Sequence, residues 1–574
     1  MTRTNLHGLL ISDFTIKTLA NYLDNIDEIP KLHTHVVLIR QLIQILTPQD
    51  APSLSSKPDF AVVWTRPDVS VPAFSKILHF QSAPVATLMS EVDAFAEAVA
   101  FLGEHTNAVF VPSWTLPSYI RGNGMLDMKN AGGAANAIMR MNLRLTEQLE
   151  PHSNIFVLNA QRWIEVAGKL ACNPKLWYMG KIAFSNDVFR EAARDIKAGL
   201  RGMRGLARKL VIVDLDDTLW GGIVGDVGWQ QLNLGGHNHI GEAYVDFQLS
   251  LKDLTRRGII LGIVSKNEES VALEAIKNHP EMVLRVDDFA GWRINWGDKA
   301  NNIVQLTASL NLGLESVVFI DDNPVERARV REALPEVFVP EWPKDKMLYQ
   351  STLLDLRCFD VPGISSEDLE RTQMYLAQKR RDQSQRNITS MDDWLRTLET
   401  TVTVEEFSQT NALRVVQLLN KTNQMNHATR RMTLQELNIW IAHKNRHLWA
   451  FRVADKFGDA GITGIISLNH DGEVGTITDL VLSCRVMGRR IEETMLFVLI
   501  NFARRVPLVS LKAEFVPTEK NKPCLEFWRR SPFQEERTNL FTFDLSLPYE
   551  VPSCIVLQEG TAVPSGKTLT HLTH

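Results

Sequence analysis

Three carboxylates follow one another at the end of an apolar run. VIVDLDDTLWGG, residues 211–222, sets Asp214, Asp216 and Asp217 directly after Val211, Ile212 and Val213. Acids this close repel one another unless a cation sits among them. A strand ending in Asp-x-Asp-x-Thr places Asp214 at the carboxyl edge of a parallel sheet, where open α/β folds bind ligands, with Asp216 on the following turn facing the same crevice. Such a pair suits phosphoryl transfer. Asp214 attacks phosphorus to give an aspartyl phosphate; Asp216 protonates the leaving oxygen and then deprotonates the water that hydrolyses the intermediate. Bound Mg2+ makes the carboxylates compatible and neutralises the phosphate.

That chemistry needs a hydroxyl, a cation and a further carboxylate at the neighbouring strand tips. LGIVSKN ends a strand on Ser265, NWGDKANN puts Lys299 at a helix start, and VVFIDDNP ends a strand on Asp321 and Asp322, with Asn323-Pro324 opening the next helix. The expected site is therefore Asp214, Asp216 and Lys299 for catalysis, Thr218, Ser265, Lys266 and Asn267 for phosphate, and Asp214, Asp216, Asp321 and Asp322 for metal. Which of Asp321 and Asp322 touches the metal stays open. Taken singly, each signal also reads as an acidic turn, a helix cap, a surface lysine or a capping turn; the order of all four is what chance does not supply.

The elements that must position these groups follow from the rest of the chain. At 574 residues, 44% hydrophobic and 22% charged, it has the composition of a globular protein and the length of about three domains. Residues 1–200 alternate apolar runs (PDFAVVW, NAVFVPSW, NIFVLNA) with amphipathic stretches, predicting one α/β domain. Residues 205–365 repeat the rhythm with strands expected at KLVIVDLD, GIILGIVSKN, SVVFIDDN and VFVPEW. A polar helical linker is expected over 366–400, an α+β domain over 401–555, and a disordered tail over 556–574. The net charge of −5 carries no basic excess, so neither nucleic acid nor an anionic membrane is expected as a partner. The five cysteines, Cys172, Cys358, Cys484, Cys524 and Cys554, never form CxxC, which argues against a disulfide framework or structural zinc. With no signal-type leader and no long apolar run, a cytoplasmic protein is expected.

The four ordered elements resemble the signature of the haloacid dehalogenase superfamily, mostly Mg2+-dependent phosphatases and phosphotransferases of Rossmann-like α/β fold. DLDDTLWGGIVGDVGW, DFQLSLKDLTRRGIILGIVSKN, WRINWGDKANNI and FIDDNPVERARVREALPEV resemble one narrow branch of it, the FkbH-like proteins of polyketide biosynthesis (subfamily IIIC). NKTNQMNHATRR and LSCRVMGRRIE continue the likeness into the third domain. The resemblance implies a glyceryltransferase/phosphatase. Such an enzyme takes a three-carbon unit from 1,3-bisphosphoglycerate, strips its phosphates and loads the glyceryl group as a thioester on the phosphopantetheine arm of an acyl carrier protein.

That chemistry asks for a nucleophilic thiol, because the acyl phosphate at C1 and the phosphomonoester at C3 are different bonds. Cys484 is the expected acyl carrier, in TDLVLSCRVMGRR, where Arg485 and a helix start are expected to lower its pKa. The region is similar to the Gcn5-related acetyltransferase fold, whose Arg/Gln-x-x-Gly-x-Gly/Ala turn reads here Arg485-Val-Met-Gly488-Arg489-Arg490. The terminal Arg490 fits a single phosphopantetheine phosphate better than coenzyme A. Asn521 falls where such folds carry a polar residue near the thioester. Asn423, Gln424, Asn426 and Arg430 or Arg431 are candidates for the glyceryl hydroxyls or the C3 phosphate, against a plain interdomain contact; His427 is read as structural. The first domain resembles an SGNH hydrolase, but LLISDFT places Ser12 before Asp13 rather than after it, implying a degenerate fold that docks a carrier protein or packs between domains. A small-metabolite phosphatase and a non-catalytic scaffold are the alternatives. The exact acyl unit, the carrier and the oligomeric state are not written in the sequence.

Overall fold

The computed structural model describes residues 5–26, 28–38, 58–116, 122–130, 132–364, 377, 381, 384 and 390–560. Most of the expected 366–400 linker and residues 561–574 of the expected tail lie outside the described residues. The chain divides into two compact units, one of residues 1–201 with 433–438, the other of residues 202–432 with 439–574. The two later domains expected from the sequence thus share one unit.

The first unit holds a parallel sheet of β1 (Asn5–Ser12), β2 (Lys31–Leu38), β3 (Phe60–Trp64), β4 (Val109–Pro112) and β5 (Ile155–Leu158), in the order β2-β1-β3-β4-β5. Helices Val85–Glu104 and Ala134–Leu149 bury Val92, Val99, Met141 and Leu145 against Ile11, Val63 and Val111. Ser12 is fully buried and its hydroxyl accepts from the Phe14 amide. Asp13 is taken up by Arg66, through its amide at 3.0 Å and its Nε at 3.2 Å.

The second unit opens with a parallel sheet of β6 (Leu210–Val213), β7 (Ile260–Ser265), β8 (Phe289–Ile294) and β9 (Val317–Ile320), ordered β8-β7-β6-β9. Their unbroken apolar runs are what a sheet covered on both faces requires. Val211, Val213, Ile263 and Ile320 pack with Phe247 and Leu251, while Leu210, Ile212, Val264 and Phe319 pack with Ile303 and Leu306 on the other face. VFVPEW is not a strand: Phe338 makes a single bridge with Val318, and Pro340 ends the pairing. The fourth strand is instead FAGWRI, an edge strand whose Gly291 and Arg293 break the apolar run.

The remaining sheet consists of β10 (Thr400–Glu406), β11 (Met425–Asn426), β12 (Arg446–Asp455), β13 (Gly458–Asp471), β14 (Val474–Leu482), β15 (Ser510–Glu514), β16 (Gln534–Arg537), β17 (Leu540–Asp544) and β18 (Ile555–Glu559). Its order is β16-β17-β15-β14-β13-β12-β10-β18, with β11 on β14. Gly472, at φ +73°, makes the two-residue turn between β13 and β14, a backbone conformation that glycine adopts freely. Helix Ile491–Ala503 buries Met495, Leu496 and Leu499 in the same core as Phe451, Ile466 and Leu480. Residues 556–559, expected in a disordered tail, belong to β18, which pairs in parallel with Thr400–Val404. Among the described residues no helix is long and apolar enough to cross a membrane.

Candidate active site

β6 and β9 are adjacent and leave the core at the same edge, so their first charged residues emerge side by side. Asp214 follows β6 and its amide donates to the Ile320 carbonyl, the last of β9, at 3.0 Å; Asp321 comes next. Lys299 opens helix Lys299–Ser309, which Asp298 caps through the Asn301 amide. Lys299 Nζ lies 2.9 Å from Asp214 Oδ2 and 2.6 Å from Asp321 Oδ2, with all three residues under 10% exposed. Burial works against the ammonium, but the two carboxylates outweigh it and hold its pKa above that of an ordinary lysine. The Asp321 carboxyl is pushed up, first by burial and then by the Asp214 charge, with Lys299 opposing.

Asp214, Asp321 and Asp322 each offer an oxygen within 4.8 Å of the others. Asp214 Oδ1 is buried and has no hydrogen-bond partner among the described residues. A cluster of hard oxygen donors that leaves one buried carboxylate oxygen unsatisfied fits a small divalent cation. Asp216, expected among the metal ligands, is outside this group. Its Oδ1 accepts from Trp220 Nε1 at 2.9 Å and the Val224 amide at 3.0 Å, and its Oδ2 from Asn267 Nδ2 at 2.7 Å. Burial raises its pKa, the three donors oppose that, and Asp214 adds to the rise. A carboxyl held in one orientation with a raised pKa is equipped to give and take a proton.

The phosphate-binding set expected from sequence is partly spent elsewhere. Thr218 is fully buried, and its hydroxyl accepts from the Asp322 amide at 3.2 Å, tying the loops after β6 and β9 together. Lys266 pairs with Glu326 at 2.6 Å and Asn267 holds Asp216. Ser265 ends β7, buried. Four residues not expected at the site, Lys346, Tyr244, Tyr349 and Arg327, shape it. Asp217 sits at φ +54°, and its carbonyl accepts from Lys346 Nζ at 2.7 Å and from the Tyr244 and Tyr349 hydroxyls at 3.2 Å each. Arg327 donates at 2.7 Å to the carbonyls of both Asp321 and Asp322. Only Arg327, a cation one turn into the DDNP helix, carried a local signal; Lys346 lies 129 residues from Asp217.

In the large sheet, Cys484 lies two residues past β14, in a turn spanning Cys484–Val486. The long helix expected from 488 begins instead at Ile491, seven residues past Cys484. The expected lowering of the thiol pKa is reversed as well, because burial pushes it up more than Arg485 and Lys209 pull it down. Sγ donates to the Asn311 carbonyl at 3.6 Å and the Asn311 amide Nδ2 donates to the Cys484 carbonyl at 3.5 Å. Arg485 Nε donates to the Ser483 hydroxyl at 3.2 Å. β11 runs antiparallel to β14 with Met425 opposite Leu482, which puts Asn423 and Gln424 off the end of β14 toward Cys484.

Other expected ligands are occupied within the domain. Asn426 caps its own turn through the Thr429 amide, and Arg430 pairs with the buried Asp479 at 2.5 Å. Arg431 holds the Asn423 side chain. Asn521, expected near a thioester, is 1% exposed and staples the Asn426 and Val516 carbonyls. His427 is buried with Nδ1 unpartnered among the described residues, and desolvation brings its pKa down to about 4.

Strand-end carboxylates, a buried lysine bridging two of them and a third carboxylate alongside support a haloacid dehalogenase-type phosphatase region. The comparison that carries this is with the N-terminal part of the protein BF1531 from Bacteroides fragilis, a crystal structure containing a phosphatase domain complexed with Mg: 27% identity, 63% of this chain and 95% of that one, TM-score 0.55. A putative GNAT-family acetyltransferase from Desulfovibrio desulfuricans and a putative phosphinothricin N-acetyltransferase also match, at 12% and 15% identity over 25% of this chain and 99% of theirs, with TM-scores of 0.20 and 0.21. No protein-family model and no curated protein matches the chain.

Proposed function

We propose that this chain is a Mg2+-dependent phosphatase coupled to acyl transfer, taking a glyceryl unit from 1,3-bisphosphoglycerate to an acyl carrier protein in the cytoplasm. The observation that carries the phosphatase half is the buried Asp214 carboxylate, held by Lys299 on Oδ2 and unpartnered on Oδ1. Asp214, Asp321 and Asp322 would hold the cation, which when bound would offset the negative charge of the carboxylates and the phosphate. An Asp214 oxygen attacks phosphorus, the bond to the C3 oxygen breaks, and the Asp216 carboxyl gives that oxygen its proton. Water then attacks the phosphoaspartate, Asp216 takes its proton, and phosphate leaves. Lys299 fixes the Asp214 and Asp321 carboxylates throughout.

Acyl transfer rests on the FkbH-like resemblance and on Cys484. The thiolate attacks the C1 carbonyl, the acyl phosphate bond breaks with loss of phosphate, and the thioester passes to a phosphopantetheine thiol. Intact-protein mass spectrometry after incubation with 1,3-bisphosphoglycerate and Mg2+ tests it: a hydroxylamine-labile adduct on the Cys484 peptide is expected, absent from Cys484→Ser. A second reading, a small-metabolite phosphatase without acyl transfer, is favoured by one observation, the raised pKa of the Cys484 thiol. Phosphate release with no adduct at any cysteine would establish that reading instead.

A further inference from the structure

The proposed function needs two reactive centres, and the fold sets a ruler between them. Lys299, which touches Asp214 and Asp321, is the first residue of an 11-residue helix that ends at Ser309. Two residues further, Asn311 exchanges hydrogen bonds with Cys484. At ~1.5 Å per residue the helix is about 16 Å long. The sheet gives an independent measure. Asp214 follows the last residue of β6, whereas Glu315, in the turn immediately before β9, pairs with Lys520 at 2.5 Å. That ion pair belongs to the amino edge of the sheet, as does Lys209, one of the charges acting on Cys484. Four residues of strand at ~3.3 Å each put about 13 Å between the edges. The thiol therefore lies beside the amino edge and the phosphatase carboxylates at the carboxyl edge, with the packed sheet and helix between them.

Resting on the reading of Cys484 as acyl carrier, we infer that a three-carbon acyl group attached to this thiol is out of reach of Asp214. The phosphomonoester is hydrolysed on a ligand not attached to Cys484, either before acylation or after the acyl group has moved to a long carrier arm. In chemical order, the Asp214 step acts on a diffusible or arm-borne phosphoester, and a phosphoglyceryl group that enters on Cys484 leaves it still phosphorylated.

The test uses the full chain and does not depend on the native acyl reaction. Cys484 is alkylated with a short haloacetamide ending in a phosphomonoester, the site is located by peptide mapping, and Mg2+ is added with a free aryl phosphate in the same tube. The arm is expected to keep its phosphate through many turnovers of the free ester. Loss of the arm phosphate, at a rate independent of protein concentration, would overturn the inference. A second measurement needs no turnover: a nitroxide on Cys484 and Mn2+ at the carboxylate cluster are expected to lie more than about 13 Å apart, the span of the strand itself. Contact distance between them would overturn it too. Failure of the reading beneath it has a different signature, the absence of any native adduct at Cys484.

Discussion

Asp214 and Asp216 stand two residues apart yet have opposite surroundings, and their variants should differ accordingly. Asp214 is paired with a buried ammonium, so Asp214→Asn removes the nucleophile and is expected to lower phosphate release by roughly 10^3-fold or more. Asp216 is held by Trp220, Val224 and Asn267 away from the metal group. As a proton donor its worth depends on the leaving group: Asp216→Asn should cost roughly 10^2–10^4-fold on an alkyl phosphate but far less on 4-nitrophenyl phosphate, whose leaving group needs no proton. Equal losses on both substrates would take the acid role from Asp216. At Cys484 burial raises the thiol pKa, so alkylation by iodoacetamide is expected to be slow at neutral pH and to climb with pH past 9. Arg485→Ala should slow it further at each pH, because Arg485 opposes the rise; a fast thiol at pH 7 would contradict the raised pKa.

At the scale of elements, legibility followed sequence distance. Asp214, Ser265 and Asp321 could be placed at strand ends because each closes an unbroken buried run in its own segment. β8 could not, since Gly291 and Arg293 interrupt its run, and β18 could not, because its partner β10 lies some 150 residues earlier and its own residues are half-exposed. Removing 555–574 should therefore lower the melting temperature more than removing 561–574; equal effects would deny β18 a stabilising role. The segment after β11 carries a pH dependence. His427 is buried neutral, its pKa down to about 4. Stability from its burial is present above about 6.5 and is lost as pH falls toward 4, on the order of 3 kcal/mol in all. His427→Phe, which keeps an aromatic ring against Trp528, should flatten that part of the pH–stability curve measured by denaturant unfolding.

Across the whole molecule, the chain joins an α/β unit to one in which a four-stranded parallel sheet and a large mixed sheet fold together. The sequence marks a boundary over 366–400 by its change of composition; contacts between the segments on either side, such as Lys520 with Glu315 and Cys484 with Asn311, each across more than 170 residues, have no local signature. The clamp on Asp217 from Lys346 was hidden for the same reason. Everything proposed for this molecule depends on the carboxylates at the edge of β6 and β9 doing phosphoryl chemistry. The direct measurement is a rapid acid quench of the enzyme turning over a phosphomonoester with Mg2+, followed by peptide mapping of acid-stable, hydroxylamine-labile phosphate. A phosphoaspartate on the peptide containing Asp214, absent with excess chelator and absent from Asp214→Asn, is the predicted result. Undiminished phosphate release in chelator or in Asp214→Asn would contradict it.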